Sequence, residues 1–475
     1  MTFGIDLLIR GKNMNDIVSQ LREIVDENGL LTGHDVSERV IHMWYPKPIT
    51  ALCIVRPTTC EQVSQILKLC NDNNQTVVPH GGLTGLVQGC NSEPTDVVLS
   101  LERMNQIEEV DPIGRTMTVQ AGVPLQLIQE TAELSDLMFP LDLGARGSCQ
   151  IGGNVSTNAG GNRVIRFGMA RENVLGIEAV LADGTVMSSL NVMIKNNSGY
   201  DLKQLFIGTE GTLGVITRIV LRLREIPQIQ PTAFAAFDNF QQVTKFLRFV
   251  DQRLGGELSA FEVMWHDYYE VVTTAPADNI RPVPADYPLY VLIESMGAGA
   301  NHSENKFNDI LGEALEKELV ADAAVAQSES DRMAMWKIRD SVEHFFRHGH
   351  AFLYDVSLAI RYMDDYVSEV KRRLLDKWPD SHCQTLGHIA DGNIHFAIAV
   401  GDDSSESHKA VNECVYEPLQ PIKGAISAEH GIGTEKLDYL NLSRTKEEVQ
   451  IMRLLKNSLD PNNILNPEKI FVSNR

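Results

Sequence analysis

Apolar residues recur with a helical period at Met14, Ile17, Val18, Leu21, Ile24 and Val25, with Gly29 behind them, which predicts an amphipathic helix over 14–28 with a glycine stop. A second helix is expected after Thr59: Val63, Ile66, Leu67 and Cys70 share one face, and Glu61 sits in the first turn. Short apolar runs predict strands at 76–78, 96–101 and 116–120. Asp183-Gly184, between Val180-Leu181 and Val186-Met187, reads as a two-residue hairpin. A short helical segment from 201 leads through Gly208-Thr209-Glu210-Gly211-Thr212-Leu213-Gly214 into a strand from Val215 to Leu221, and Glu225-Ile226-Pro227 ends that unit. Beyond it, strands are expected at 233–236, 289–295, 353–360, 385–389 and 394–399, and helices at 240–253, 304–317, 331–346 and 362–376. This alternation predicts an α+β domain with helices on one sheet face. A closing helix is expected around 446–459.

Composition narrows the classes. A chain of 475 residues has room for roughly two to four domains, and 43% apolar with 22% charged residues is ordinary for a globular protein. Forty-two Lys and Arg against 63 Asp and Glu leave a net charge of −21, which offers nothing to phosphate backbones or anionic lipid, so nucleic-acid binding is not expected. No apolar run approaches the ~18 residues that cross a bilayer, so no transmembrane segment is expected. Met1 to Asn13 has a short apolar stretch, but no basic run precedes it and no small-residue cleavage site follows. The seven cysteines are odd in number and include no Cys-x-x-Cys pair. They read as buried thiols in a reducing compartment, and a cytoplasmic location is the expectation.

Two glycine-rich stretches carry candidate chemistry. Pro79-His80-Gly81-Gly82-Leu83-Thr84-Gly85 follows a strand, where glycines let backbone amides close around an anion such as pyrophosphate. The spacing is neither a dinucleotide fingerprint nor a Walker loop. The second stretch places six glycines between Gly144 and Gly161 among Ser, Thr and Asn. Its Ile151, Val155 and Ala159 have something to bury, unlike a solvated loop.

Together with Asp201-Leu202-Lys203-Gln204-Leu205-Phe206-Ile207-Gly208-Thr209-Glu210-Gly211, these stretches resemble the FAD-binding domain of the vanillyl-alcohol oxidase/PCMH flavoprotein family, and the resemblance runs over nearly the whole chain. It implies a PCMH-type FAD-binding domain of two α/β subdomains over 1–226, an α+β cap with an antiparallel sheet over 227–419, and a C-terminal helical segment over 420–475 that returns to the first domain. By the same resemblance Pro79, His80, Gly81, Gly82, Leu83, Thr84, Gly85 and Leu86 would cradle the pyrophosphate. Leu143, Gly144, Ser148, Gly152, Gly153, Asn154, Ser156, Thr157, Asn158, Gly160, Gly161, Glu210, Gly211, Gly214 and Val215 would wrap the remainder of FAD, with Asn466 from the tail. Members that attach flavin covalently carry His directly after the Gly-Gly pair. Leu83 stands there, so a non-covalent FAD is expected.

His388-Ile389-Ala390-Asp391-Gly392-Asn393-Ile394-His395 suggests a hairpin with Asp391-Gly392 at the centre of a type I′ turn. In that register His388 opposes His395, with Cβ atoms about 4.5–5.5 Å apart, within reach of one divalent metal. Ser427-Ala428-Glu429-His430-Gly431 offers an adjacent carboxylate and imidazole. The resemblance implies that Glu429 is the third metal ligand and His430 the base. Two imidazoles and a carboxylate suit Zn²⁺, Mn²⁺ or Fe²⁺, and family precedent favours zinc.

The resemblance then implies a dehydrogenase that oxidises a D-2-hydroxy acid to the 2-oxo acid by hydride transfer to flavin N5, with Arg339 of Trp336-Lys337-Ile338-Arg339 pairing the substrate carboxylate. A plain Arg339–Glu343 ion pair along a helix is the bland alternative. An external acceptor, such as a quinone or an electron-transferring flavoprotein, is expected because no second nucleotide motif is visible. A homodimer is left open. Members that oxidise D-2-hydroxyglutarate carry Thr, Lys and Asn where Glu343, Leu353 and Ala397 stand. A lactate-like or longer monocarboxylate is therefore favoured over D-2-hydroxyglutarate, with His348, His350 or Arg347 the residues able to compensate. Three further readings stay open: a metal-free flavin oxidase of alcohols or sugars using O₂, a metal hydrolase, and a catalytically idle binding subunit.

Overall fold

A computed structural model of the chain describes residues 16–297 and 299–472, so Met14 and the Met1 to Asn13 stretch lie outside the described residues. The chain forms two units. The first holds the residues up to Ala159, Met169–Ile226 and everything from Glu429; the second holds Gly160–Gly168 and Pro227–Ala428. The return to the first unit thus falls at Glu429 rather than at 420.

In the first unit, helix α1 (16–24) buries Ile17 and Leu21. Strands β1 (Leu30–Leu31) and β2 (Cys53–Val55) precede α2 (Cys60–Asp72), whose cap is the Thr59 hydroxyl accepting the Gln62 amide at 3.2 Å. The expected face of Val63, Ile66, Leu67 and Cys70 is fully buried. β3 (Val77–His80) and β4 (Val97–Ser100) complete a sheet of order β1-β2-β4-β3, in which β2 and β3 both run parallel to β4. A second, antiparallel sheet is built from β5 (Ile107–Asp111), β6 (Thr116–Gln120), β7 (Val174–Val180), β8 (Val186–Ser189) and β9 (Val215–Arg222) in the order β8-β7-β9-β6-β5. One apolar core unites the two sheets. The β7–β8 hairpin forms, but Val180 pairs with Val186 and only Gly184 is left-handed (φ 85°), so the turn is wider than two residues.

The second unit is a seven-stranded, wholly antiparallel sheet. Its strands are β10 (Thr232–Phe237), β11 (Leu258–Trp265), β12 (Leu289–Ser295), β13 (Asp322–Val325), β14 (Phe352–Ser357), β15 (His382–His388) and β16 (Asn393–Ala399), in the order β13-β10-β12-β11-β15-β16-β14. Helices cover both faces, not one. Phe246 of α3 (Phe240–Leu254) packs on Phe237 and Phe261, whereas Met335, Trp336 and Ile338 of α4 (Glu329–Asp340) share a cluster with Phe234, Ala260 and Met264. Strands buried on both faces read as continuous apolar runs, which is the pattern of β10, β11 and β12. The helix expected over 331–346 ends at Asp340, with a 3₁₀ turn over Val342–Phe346. The closing helix α5 (Lys446–Leu459) belongs to the first unit and opens with a Thr445/Glu448 capping box.

Candidate active site

β3 delivers the first glycine loop to an open cleft of about 990 Å³ in the first unit. The loop lies so tightly along 148–150 that a Cβ on Gly82 would sit 2.1 Å from the Ser148 carbonyl oxygen. Three polar atoms on its wall, Gln150 Oε1, Asn154 Oδ1 and Asn466 Oδ1, are buried without a hydrogen-bond partner. Buried acceptors of that kind call for a donor, and the hydroxyl- and amide-bearing body of FAD supplies several. Among the described residues the lining contains no Lys or Arg. A pyrophosphate here would be held by backbone amides rather than by side-chain charge. His80 does not supply that charge either: its Nε2 donates to the Cys90 carbonyl at 2.8 Å, and burial pulls its pKa down to about 4.

Of the residues expected to hold FAD, Pro79 to Gly85, Gly152, Gly153, Asn154, Ser156, Thr157, Glu210, Gly211, Gly214, Val215 and Asn466 line the cleft. Leu86, Leu143, Gly144, Ser148 and Asn158 do not line it, and Gly160 and Gly161 belong to the second unit. Asn158 instead accepts the Arg171 amide through its side chain. Val87, Gly89, Cys90, Leu101, Ala121, Cys149, Gln150 and Ile216 also line it. Most of these are plain apolar or small residues with no chemical signature, and only Gln150 carried a readable signal, as a polar residue at the foot of the glycine run.

His430 stands on the wall of the same cleft. Its loop is fastened by Glu210, whose carboxylate accepts the Ile432 and Gly433 amides at 2.7 and 2.8 Å. Burial raises the Glu210 pKa and these two amides oppose the shift. The Gly208–Gly214 segment and the His430 loop are therefore joined by one side chain.

In the second unit β15 and β16 bring two histidines together, though not as directly opposed residues. Leu386 faces His395, and the connection is a 3₁₀ turn over Ile389–Asp391 closed by left-handed Gly392 (φ 94°). A type I′ turn needs two left-handed residues, and Asp391 is not one. His388 and His395 are diagonal neighbours on one sheet face, with ring centroids 5.3 Å apart. On the far side of β16, Asp355 of β14 faces His395 in register, and its carboxylate accepts the Ala428 amide at 2.9 Å. Glu429 follows by one peptide bond. Its carboxylate and the two imidazoles place ligand atoms within 4.8 Å of one another. This donor set fits a divalent cation with open positions.

Glu262 of β11, which the sequence reading passed over, sits in register with His388. Its Oε1 accepts from His388 Nδ1 at 2.7 Å and its Oε2 from Arg339 Nε at 2.8 Å. Burial pushes the Glu262 pKa up, but its interactions with His388 and Arg339 outweigh burial and hold the carboxyl below its ordinary value. Arg339 thus pairs with Glu262 and Asp340, not with Glu343. The candidate compensating residues are occupied elsewhere: Arg347 donates to the Val271, Thr274 and Ala275 carbonyls, His348 stacks on His382, and His350 lies edge-on to Phe352. Leu353 and Ala397 are direct cross-strand partners.

A family model described as FAD linked oxidases, C-terminal domain, matches residues 226–470, and one described as FAD binding domain matches 51–189. The chain belongs to the FAD-linked oxidase family. The chain is 40% identical over 89% of its length to the mitochondrial D-2-hydroxyglutarate dehydrogenase of Danio rerio, covering 78% of that protein. It is 39% identical over 87% of its length to a mitochondrial protein of Schizosaccharomyces pombe that is provisionally named a D-lactate dehydrogenase, covering 81% of it. Among solved structures, p-cresol methylhydroxylase with substrate bound matches at a TM-score of 0.76 and 16% identity, over 97% of each chain, which shows the PCMH-type fold. The chain is accordingly a FAD-dependent oxidoreductase. The names of these relatives overturn the cytoplasmic expectation and point to mitochondria. Reduced thiols mark a reducing compartment and cannot separate a mitochondrial from a cytoplasmic setting. No helix among the described residues is long and apolar enough to cross a membrane.

Proposed function

We propose that the chain is a FAD- and divalent-metal-dependent dehydrogenase that oxidises a D-2-hydroxy acid to the 2-oxo acid. The observation that carries this is a peptide bond: Glu429, grouped with two imidazoles, is followed directly by His430, which lines the flavin cleft. Consecutive Cα atoms are only ~3.8 Å apart, and this adjacency supports a reading in which one loop serves both the cation and the flavin. When bound, FAD supplies a two-electron acceptor and the cation a Lewis acid, zinc being our preference over manganese or iron. His388, His395 and Glu429 hold the cation. His430, as neutral imidazole, takes the α-hydroxyl proton on a ring nitrogen. Arg339 pairs with the substrate carboxylate through its Nη groups, which would exchange their Asp340 and His388 contacts for it. Electrons then leave to an external acceptor of quinone or electron-transferring flavoprotein type. Anaerobic mixing with D- and L-2-hydroxy acids, with and without chelator, tests the reading. Flavin bleaching by D-acids that disappears on chelation is expected; bleaching indifferent to chelation would remove the metal from the account.

Within that class we favour a lactate-like or longer monocarboxylate. Support comes from the Leu353–Ala397 pair, which is apolar where the D-2-hydroxyglutarate branch carries Lys and Asn, and from Arg347, whose guanidinium is spent on three carbonyls. The second reading, D-2-hydroxyglutarate itself, is favoured by the name of the Danio rerio relative. The ratio of kcat/KM for the two acids decides, and a strong preference for the five-carbon diacid would overturn the first reading.

A further inference from the structure

Glu262 is a carboxylate in the middle of β11, a strand whose eight residues are all buried, with Leu292 facing it in β12. An acidic group there is costly unless it is fully partnered, and nothing in the packing of the sheet asks for one. Its two oxygens go to two residues of the proposed site, one to His388 and one to Arg339. Arg339 also places Nη2 3.2 Å from His388 Nε2. Guanidinium can only donate, so Nε2 is the accepting nitrogen and the imidazole proton resides on Nδ1, facing Glu262.

We infer that Glu262 is the positioning residue of the metal site: it fixes His388 in the tautomer whose Nε2 is the accepting nitrogen, where a cation would replace the Arg339 contact, and the same carboxylate holds Arg339 through its Nε. This rests on the reading of His388 as a metal ligand. A histidine ligand needs a partner on its other ring nitrogen to set its tautomer and orientation, and loss of such a partner weakens metal affinity by ~10–100-fold. Glutamine keeps the shape of Glu262 but has one accepting atom where two donors converge. If its amide NH₂ faces Nδ1, the imidazole proton must move to Nε2 and the ligand is lost.

The test uses the full-length flavoprotein and Zn²⁺ in competition with a chromophoric chelator. The wild type is expected to bind one Zn²⁺ per chain. Glu262→Gln is expected to bind it at least tenfold more weakly, with flavin content unchanged and with altered visible bands when Co²⁺ replaces Zn²⁺. Equal affinity in the two proteins would overturn the role of Glu262 alone. No stoichiometric binding by the wild type would overturn the metal reading, and this inference with it. Should Glu262→Gln fail to fold, ¹⁵N-histidine spectra of the wild type, assigned with His388→Gln, give an independent answer. An Nδ1-protonated His388 is expected, and an Nε2-protonated one would overturn the inference.

Discussion

At the scale of single residues, the clearest consequence of burial is at His80. The free imidazole titrates near 6.5 and the folded one at about 4. Between those values the unfolded chain takes up a proton that the folded chain refuses, so the stability contributed by a neutral His80 is complete above pH 6.5 and is lost as pH falls towards 4, about 3 kcal/mol in all. His80→Gln keeps a donor for the Cys90 carbonyl without titrating. Urea midpoints at pH 7.5 and pH 5 should therefore fall less in the variant than in the wild type; identical slopes would contradict the assignment. At this scale His388 and His395 were singled out by type and by the assumed hairpin, whereas the roles expected of Glu429 and His430 came from the family resemblance. Glu262 was not, because a lone glutamate in an apolar run has no spacing partner, and its meaning comes only from a strand, β15, that lies more than a hundred residues further along the chain.

At the scale of elements, periodicity located most helices and strands of both units, whereas pairing could be inferred only through assumed turns. The β15–β16 connection shows the limit: Asp-Gly suggested a two-residue turn, the chain took a 3₁₀ turn before Gly392, and the histidines became diagonal instead of opposed. Their shared face survived because the slip was an even number of residues, which preserves alternation. Strand β11 escaped notice as an apolar stretch without the expected alternation, and with it went the true number of covered sheet faces. The register of β14 against β16 makes a specificity test concrete. Leu353→Lys with Ala397→Asn, introduced together across the ladder, should raise the ratio of kcat/KM for D-2-hydroxyglutarate over D-lactate by about tenfold or more, the size of one well-made polar contact. Steady-state assays with both acids read it, and an unmoved ratio would mean that the substrate's distal end lies elsewhere.

For the molecule as a whole, the main departure from a simple linear division is the excursion of Gly160–Gly168 into the second unit. Arg163 in that excursion pairs with Glu294, a fully buried carboxylate that also takes bonds from Arg332, Trp336 and Thr232. Removing one partner from such a group leaves charge uncompensated, so Arg163→Met should cost about 3 kcal/mol. Chemical unfolding should show the loss, and a change below about 0.5 kcal/mol would mean that Arg332 alone suffices. No periodicity announces such an excursion, since its nine residues are too few to show a core of their own.

The absence of lysine and arginine among the described residues that line the proposed flavin cleft has a practical corollary. Nucleotides gripped by cationic side chains loosen in concentrated salt, because counterions compete for the phosphates. Amide-cradled flavin is largely indifferent to that competition. Washing the yellow protein with molar sodium chloride should leave its colour intact, and preparing colourless apoprotein will require agents that disturb the backbone itself, such as acid or a chaotrope.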